Sequence, residues 1–295
     1  MPDPTQCWIN GRLLSGEEAR VPVMDHGLLY GDGVFEGIRF YHGRPFRLQA
    51  HLRRLADSCA AIRLTMPYSA EQLGKAVEET IAAFPGEDGY LRLMITRGSG
   101  PMGLDPAGCN NPNVILIATR LEMVHPELRQ EGIRLIVAAT RRLPANGLDP
   151  RIKSLNYLNN ILARMEATRA GAQEAVLLNG QGRVAEGSAE NLFIVRDGRL
   201  DTPRPADGAL AGITRGIVLE LAAGLGIPAR EAPLTPYDLY TADECFLTGT
   251  GAELIPVVEV DERPLPSCPG PVFSSLAGAF RELVARECTP KETSR

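Results

Sequence analysis

Three kinds of side chain in this 295-residue sequence could together carry out group transfer. Lys153 offers a primary amine able to condense with a carbonyl, and Glu186 and Glu190 are carboxylates able to neutralise a protonated ring nitrogen. Gly212-Ile213-Thr214-Arg215 stands where a helix pattern begins. The open N–H groups of such a start bind anions without a cationic side chain, and Thr214 can add a hydroxyl. Taken singly, each has a plainer reading as a solvated lysine, a strand-end glutamate or a helix cap. As a set they match what pyridoxal phosphate needs: an imine-forming lysine, an acid for the pyridine nitrogen and a phosphate cradle.

The elements that must position these residues follow from turns and periodicity. Trp8-Ile9 and Arg12-Leu13-Leu14 flank Asn10-Gly11, a two-residue hairpin connection. Val34 to Tyr41 and Pro45 to Leu48 read as a second hairpin across His42-Gly43-Arg44. Leu48, Leu52, Leu55, Cys59 and Ile62 recur at helical spacing, and Ser69 with Gln72 forms a capping box before Leu73, Val77, Ile81 and Phe84. Tyr90 to Thr96 alternates as a strand, so Tyr90, Arg92, Met94 and Thr96 share one face. Asn113 to Thr119 reads as its neighbour. The period breaks at Leu121 to Pro126, which divides the chain into a small N-terminal α+β domain (1–119), an inter-domain loop (120–130) and a larger mixed domain (131–295). In the latter, Ile133 to Thr140 reads as strand and Leu155 to Arg169 as helix. Glu174 to Leu178, Arg183 to Glu186, Leu192 to Val195, Glu244 to Thr248 and Leu254 to Val260 read as strands, with helices from Thr214 to Leu225 and Val272 to Glu287. The expected fold class is mixed α+β in two domains.

Composition narrows the partners. A net charge of −5, with no basic run, argues against nucleic acid and leaves small molecules. The six cysteines form no C-x-x-C pair and the four histidines share no ligand spacing, so no metal is assigned and the thiols are expected to be reduced. The histidines read as solvated or locally bonded. No stretch is apolar enough to span a bilayer, and no leader pattern precedes Trp8, so a cytoplasmic protein is expected.

Five blocks, in order, resemble the fold-type IV pyridoxal-phosphate aminotransferases, whose fold is that of D-amino acid aminotransferase: Asp25-His26-Gly27-Leu28-Leu29-Tyr30-Gly31-Asp32-Gly33-Val34-Phe35-Glu36-Gly37-Ile38-Arg39, Ile152-Lys153-Ser154-Leu155-Asn156-Tyr157-Leu158-Asn159, Glu186-Gly187-Ser188-Ala189-Glu190-Asn191-Leu192-Phe193, Gly212-Ile213-Thr214-Arg215 and Thr248-Gly249-Thr250-Gly251-Ala252-Glu253. The resemblance implies that Lys153 anchors the cofactor and shuttles the substrate proton, and that Glu186 rather than Glu190 partners the pyridine nitrogen. It also implies that Tyr157, taken as one helical turn beyond Lys153, bonds the cofactor's phenolic oxygen. Arg54, Ile213, Thr214 and Thr250 would hold the phosphate, while Arg53 would face water.

Within that family Tyr90-x-Arg92, with Tyr30, Phe35 and Met102-Gly103-Leu104, is similar to the branched-chain amino acid aminotransferases. This implies that Tyr90 and the turn at Thr250-Gly251 hold the substrate α-carboxylate and that Phe35 lines an apolar pocket. Arg92 would meet the side-chain carboxylate of glutamate or 2-oxoglutarate, and Tyr30 and Leu104 would reach a neighbour's site in a homodimer. The activity implied is transamination between leucine, isoleucine or valine and 2-oxoglutarate; D-amino acid transamination, an aminodeoxychorismate lyase and a cofactor carrier without turnover are the alternatives. Gly251 stands where many relatives carry alanine. The inter-domain segment, where relatives often place an aromatic, offers Met123, Val124 and His125.

Overall fold

A computed structural model describes residues 5–122 and 125–289; Met123 and Val124 of the inter-domain segment lie outside the described residues. The described residues within Met1–Leu121, Ile152–Asn156 and Val284–Arg295 form one unit, and those within Glu122–Arg151 and Tyr157–Leu283 a second. This differs from a linear division at 119 and 131 in one respect that matters for chemistry, because Ile152–Asn156, with Lys153 inside it, returns to the first unit. Backbone pairing is the cause. Phe35 N–H donates to Lys153 O and Leu155 N–H to Gly33 O, both at 2.9 Å, and Ser154 bridges Val34 antiparallel.

The first unit is built on β1 (Thr5–Ile9), β2 (Arg12–Ser15), α1 (His26–Tyr30), β3 (Gly33–Tyr41), β4 (Arg44–Pro45), α2 (Leu48–Ala61), α3 (Ala70–Ala82), β5 (Gly89–Thr96) and β6 (Asn113–Thr119). Asn10 and Gly11 both take positive φ, 48° and 92°, the geometry that a tight hairpin turn requires. The second hairpin is shorter than its apolar run suggests: β4 has two residues, and Leu48 begins α2 instead. The sheet runs β2-β1-β6-β5-β3-β4 with antiparallel neighbours throughout. Leu91, Leu93 and Ile95 are fully buried in a core with Leu52, Leu55, Leu73 and Val77 of the two helices. Tyr90, Arg92 and Met94 occupy the other face and stay partly exposed. The capping box at Ser69 and Gln72 is formed in full.

The second unit holds α4 (Leu128–Glu131), β7 (Ile133–Val137), α5 (Leu158–Arg169), β8 (Glu174–Leu178), β9 (Val184–Gly187), β10 (Asn191–Arg196), β11 (Arg199–Pro203), α6 (Ile213–Gly224), β12 (Ala229–Ala232), α7 (Pro236–Tyr240), β13 (Glu244–Gly249), β14 (Glu253–Val260), β15 (Arg263–Pro264) and α8 (Pro271–Cys288), the last turn of α8 grouping with the first unit. Its sheet runs β12-β11-β10-β13-β14-β7-β8-β9, with β15 on β14. It curls until β9 returns beside β10, where Gly187 N–H donates to Glu190 O at 2.7 Å. Val176, Val184, Leu192, Leu247 and Val257 fill its inner side, and Ala163 and Ala167 of α5 cover Ala175 and Leu177. Among the described residues no helix is long and apolar enough to cross a membrane.

Candidate active site

In the first unit, Lys153 lies in a non-helical segment that is tied down through its own backbone groups. Its N–H donates to Ser58 Oγ of α2 (3.2 Å) and its carbonyl accepts from Phe35. Its Nζ stands 4.5 Å from the centre of the Phe35 ring, and Arg92 Cζ lies 3.9 Å from the same ring. Strand register explains this neighbourhood, since Phe35 pairs with Met94 and Gly37 with Arg92. Gly37 also makes room for Tyr90: a Cβ there would overlap the Tyr90 hydroxyl. Glu36, one residue from Phe35, is taken by partners other than Arg92.

Those partners are Arg54 and His51. Arg54 of α2 sets one edge of its guanidinium on Glu36, Nε to Oε1 at 2.7 Å and Nη2 to Oε2 at 2.8 Å, and His51 Nδ1 meets Oε2 at 2.7 Å. Burial pushes the Glu36 carboxyl up, but Arg54 and then His51 outweigh it and bring it to about 2. Burial lowers His51, opposed by Glu36 and reinforced by Arg54 and Lys153. Arg53, the next residue, faces solvent. Tyr30 is half-exposed on α1, which Asp25 caps, and its hydroxyl accepts from Gly103 N–H (3.0 Å). Leu104 beside it is 84% exposed.

In the second unit the two candidate glutamates differ in kind. Glu186 receives Arg142 Nη2 on Oε1 at 2.6 Å and, on Oε2, Leu210 N–H at 2.8 Å and Asn191 Nδ2 at 3.1 Å. A carboxylate so paired remains charged although buried. Glu190 is held well above the usual carboxylate range, first by burial and then by Glu174 beside it. A carboxyl raised in this way is the poorer source of the charge that a pyridinium needs. Gly212 precedes α6, whose first turn has no side-chain cap, so the N–H groups of Ile213 and Thr214 are open to an anion. Thr250 and Gly251 lie in the turn joining β13 to β14, next to Thr248, whose hydroxyl is buried with no partner among the described residues.

One expectation needs correction. Helix α5 starts at Leu158, with Tyr157 as its half-buried N-cap residue, so Tyr157 is not one helical turn beyond Lys153; the pairing of residues 153–155 with β3 keeps that segment extended. Of the histidines, His26 and His51 are the locally bonded kind, buried on Pro101 O (2.9 Å) and Glu36 Oε2 (2.7 Å). Arg142 has no signal in the sequence, falling on no periodic face, and Asn191 lies inside a matching block without a role being assigned to it. Glu36 is legible in principle, being a lone acid in an apolar strand, with His51 and Arg54 on adjacent turns of one helix.

These local arrangements coincide with a family. The model of the amino-transferase class IV family matches residues 33–260, and the chain belongs to that family. It is 38% identical to the branched-chain-amino-acid aminotransferase of Escherichia coli (strain K12), over 96% of this chain and 94% of the relative. The branched-chain aminotransferase of Thermoproteus uzoniensis, solved with norvaline, superposes with a TM-score of 0.90 at 41% identity, covering 96% of each chain. The branched-chain amino acid aminotransferase of Thermobaculum terrenum, solved in its PLP-bound holo-form, does so with a TM-score of 0.86 at 32% identity, covering 96% of this chain and 95% of that one. The mixed α+β fold is therefore that of fold-type IV.

Proposed function

We propose that the protein uses pyridoxal phosphate to transfer the amino group of leucine, isoleucine or valine to 2-oxoglutarate, giving the branched 2-oxo acid and L-glutamate. One observation carries this reading: the amine of Lys153 and the guanidinium of Arg92 both stand against the apolar ring of Phe35. The ring suits a branched aliphatic side chain. The guanidinium suits the second carboxylate of glutamate, which an apolar surface alone would leave unpaired at a cost of several kcal/mol.

Residues of the kinds that the cofactor calls for are present in both units, and their joint use is part of the proposal. Lys153 supplies the amine for its carbonyl, Glu186 a charged partner for its ring nitrogen and Tyr157 a donor for its phenolic oxygen. The uncapped start of α6 at Ile213 and Thr214, with Thr250 and Arg54, receives its phosphate. When bound, pyridoxal phosphate supplies the electron sink that lets the Cα–H bond break. Lys153 Nζ takes that proton and returns it. Tyr90 and the turn at Thr250-Gly251 orient the α-carboxylate, and Phe35 excludes water from the reacting bond. The burial and the neighbouring Glu174 that raise the Glu190 carboxyl support Glu186 as the ring partner.

We read the active form as at least a homodimer, with Tyr30 and Leu104 serving the neighbouring copy. Leu28, Met102 and Leu104 of the first unit are 65%, 75% and 84% exposed, an apolar surface suited to burial against a second copy. Incubating holo-protein with single amino acids and following conversion of the cofactor to its amine form tests the proposal. Conversion by L-leucine and L-glutamate is expected; conversion by D-alanine alone would overturn it.

A further inference from the structure

The acid assigned to the ring nitrogen is itself gripped by a cation. Arg142 is 9% exposed and Glu186 4%. Besides its 2.6 Å contact with Glu186, Arg142 donates from Nη1 to Asn160 Oδ1 and from Nε to Gly208 O, both at 3.1 Å. Its backbone N–H donates to Leu178 O at 2.9 Å, one strand from Glu186, whose register partner is Leu177. Every nitrogen of the guanidinium is thus committed, and its position is fixed by four segments of the second unit.

A proton lying between a carboxylate and a pyridine nitrogen goes to the stronger base. Burial strengthens the carboxylate as a base, which favours a neutral acid beside an unprotonated ring. A guanidinium at 2.6 Å and two N–H donors on the other oxygen weaken it again. From this we infer that Arg142 is a positioning residue that keeps Glu186 an ionised, weak base, so that a proton shared with a heterocyclic nitrogen stays on the nitrogen. The inference rests on the reading of Glu186 given above. The plainer alternative makes Arg142 a buried brace that ties α5, β9 and the Gly208 loop together.

The test uses apo-protein and 4′-deoxypyridoxine 5′-phosphate, which has the ring nitrogen and the phosphate but no aldehyde, so Lys153 chemistry does not enter. Equilibrium dialysis gives its affinity, and the near-ultraviolet band of the bound ring reports whether its nitrogen is protonated. Wild type should bind the protonated ring. R142Q should bind roughly ten- to a hundredfold more weakly and shift the band to the unprotonated form, from the loss of one charge-assisted contact. R142K, which keeps the charge without the fork, should retain the band and lose affinity only severalfold. In an E186Q background, R142Q should cost about threefold or less. Equal losses in R142K and R142Q, or an undiminished loss in the E186Q background, would make Arg142 a brace and overturn the inference. If R142Q does not fold, R142K decides alone, since a brace that needs all three nitrogens is damaged by lysine as by any other residue. An E186Q protein with unchanged affinity and band would remove the Glu186 reading and the inference with it. A band moved by E186Q but not by R142Q would leave that reading standing and sink the inference.

Discussion

Lys153 and Arg92 flank one aromatic ring, and the two make separable claims. Lys153→Ala should abolish the visible absorbance of bound cofactor and reduce transamination by several orders of magnitude, because no other amine can take its place. Thermal unfolding of the apo-protein should change little, as the side chain is only partly buried. Full activity without Lys153 would remove the assignment. Arg92→Met should lower kcat/KM for glutamate and 2-oxoglutarate roughly ten- to a hundredfold, the worth of one charge-assisted hydrogen bond, while leucine is affected far less. Single-turnover kinetics with each amino acid decide the matter. An equal loss for both would mean that Arg92 merely supports the Phe35 ring.

At the scale of elements, strand β5 seats the Tyr90 ring where it does only because β3 lacks a side chain at Gly37. Gly37→Ala would push a methyl into the Tyr90 hydroxyl. Overpacking of this kind costs about 1 to 3 kcal/mol, and a displaced Tyr90 should raise KM for every substrate, leucine and glutamate alike. A methyl accommodated with unchanged KM would show that Tyr90 does not hold the α-carboxylate. Ser69→Ala is the matching control: loss of the cap of α3 should cost about 1 kcal/mol of stability and leave kinetics untouched. The same contrast explains what is legible in the sequence. Features with a local cause, such as the Asn10-Gly11 turn, the Ser69 box and the alternation of residues 90–96, can be read directly. The extended course of residues 153–155 cannot, since helix-compatible residues there are overridden by pairing with β3, which lies far away along the chain. Arg142 and Asn191 are hidden for a related reason. Their partners, Asn160, Glu186, Gly208 and Leu210, come together only when the second sheet curls.

For the molecule as a whole, acid is the condition that most directly probes buried charge. Glu36 is fully buried and its folded value, about 2, lies below its unfolded one. Its contribution is therefore complete above about pH 4.3 and is lost as pH falls toward 2, a matter of roughly 3 kcal/mol. The burial-lowered His51 acts in the same direction below about pH 6.5, since the unfolded chain takes up that proton first. The difference in Tm between wild type and Glu36→Gln should thus be largest near neutral pH and shrink in acid. A constant difference from about pH 7 to about pH 3 would show that the Glu36 charge does not stabilise the fold.

Assembly is the remaining whole-molecule question, and α5 bears on it directly. Its inner face, Asn160, Ala163 and Ala167, is buried in the second unit. Its outer face carries Leu158, Ile161, Leu162 and Met165, which are 67%, 53%, 46% and 49% exposed and follow the i, i+3, i+4, i+7 spacing of a helix that expects a partner. Four large apolar side chains in one stripe are a liability for a monomer and an asset for a symmetric pair, where each helix covers its copy. Ile161→Arg places a charge in the middle of the stripe without touching the inner face. If the stripe is the interface of the proposed dimer, the variant should sediment as monomer at micromolar concentration while circular dichroism stays unchanged. Under the proposed sharing of Tyr30 and Leu104 between copies, activity should fall with it and recover in part at high protein concentration. A monomeric Ile161→Arg protein with full activity would retain the interface and refute the sharing of residues between copies. A mutant that remains dimeric would place the interface elsewhere, at the exposed Leu28, Met102 and Leu104 of the first unit.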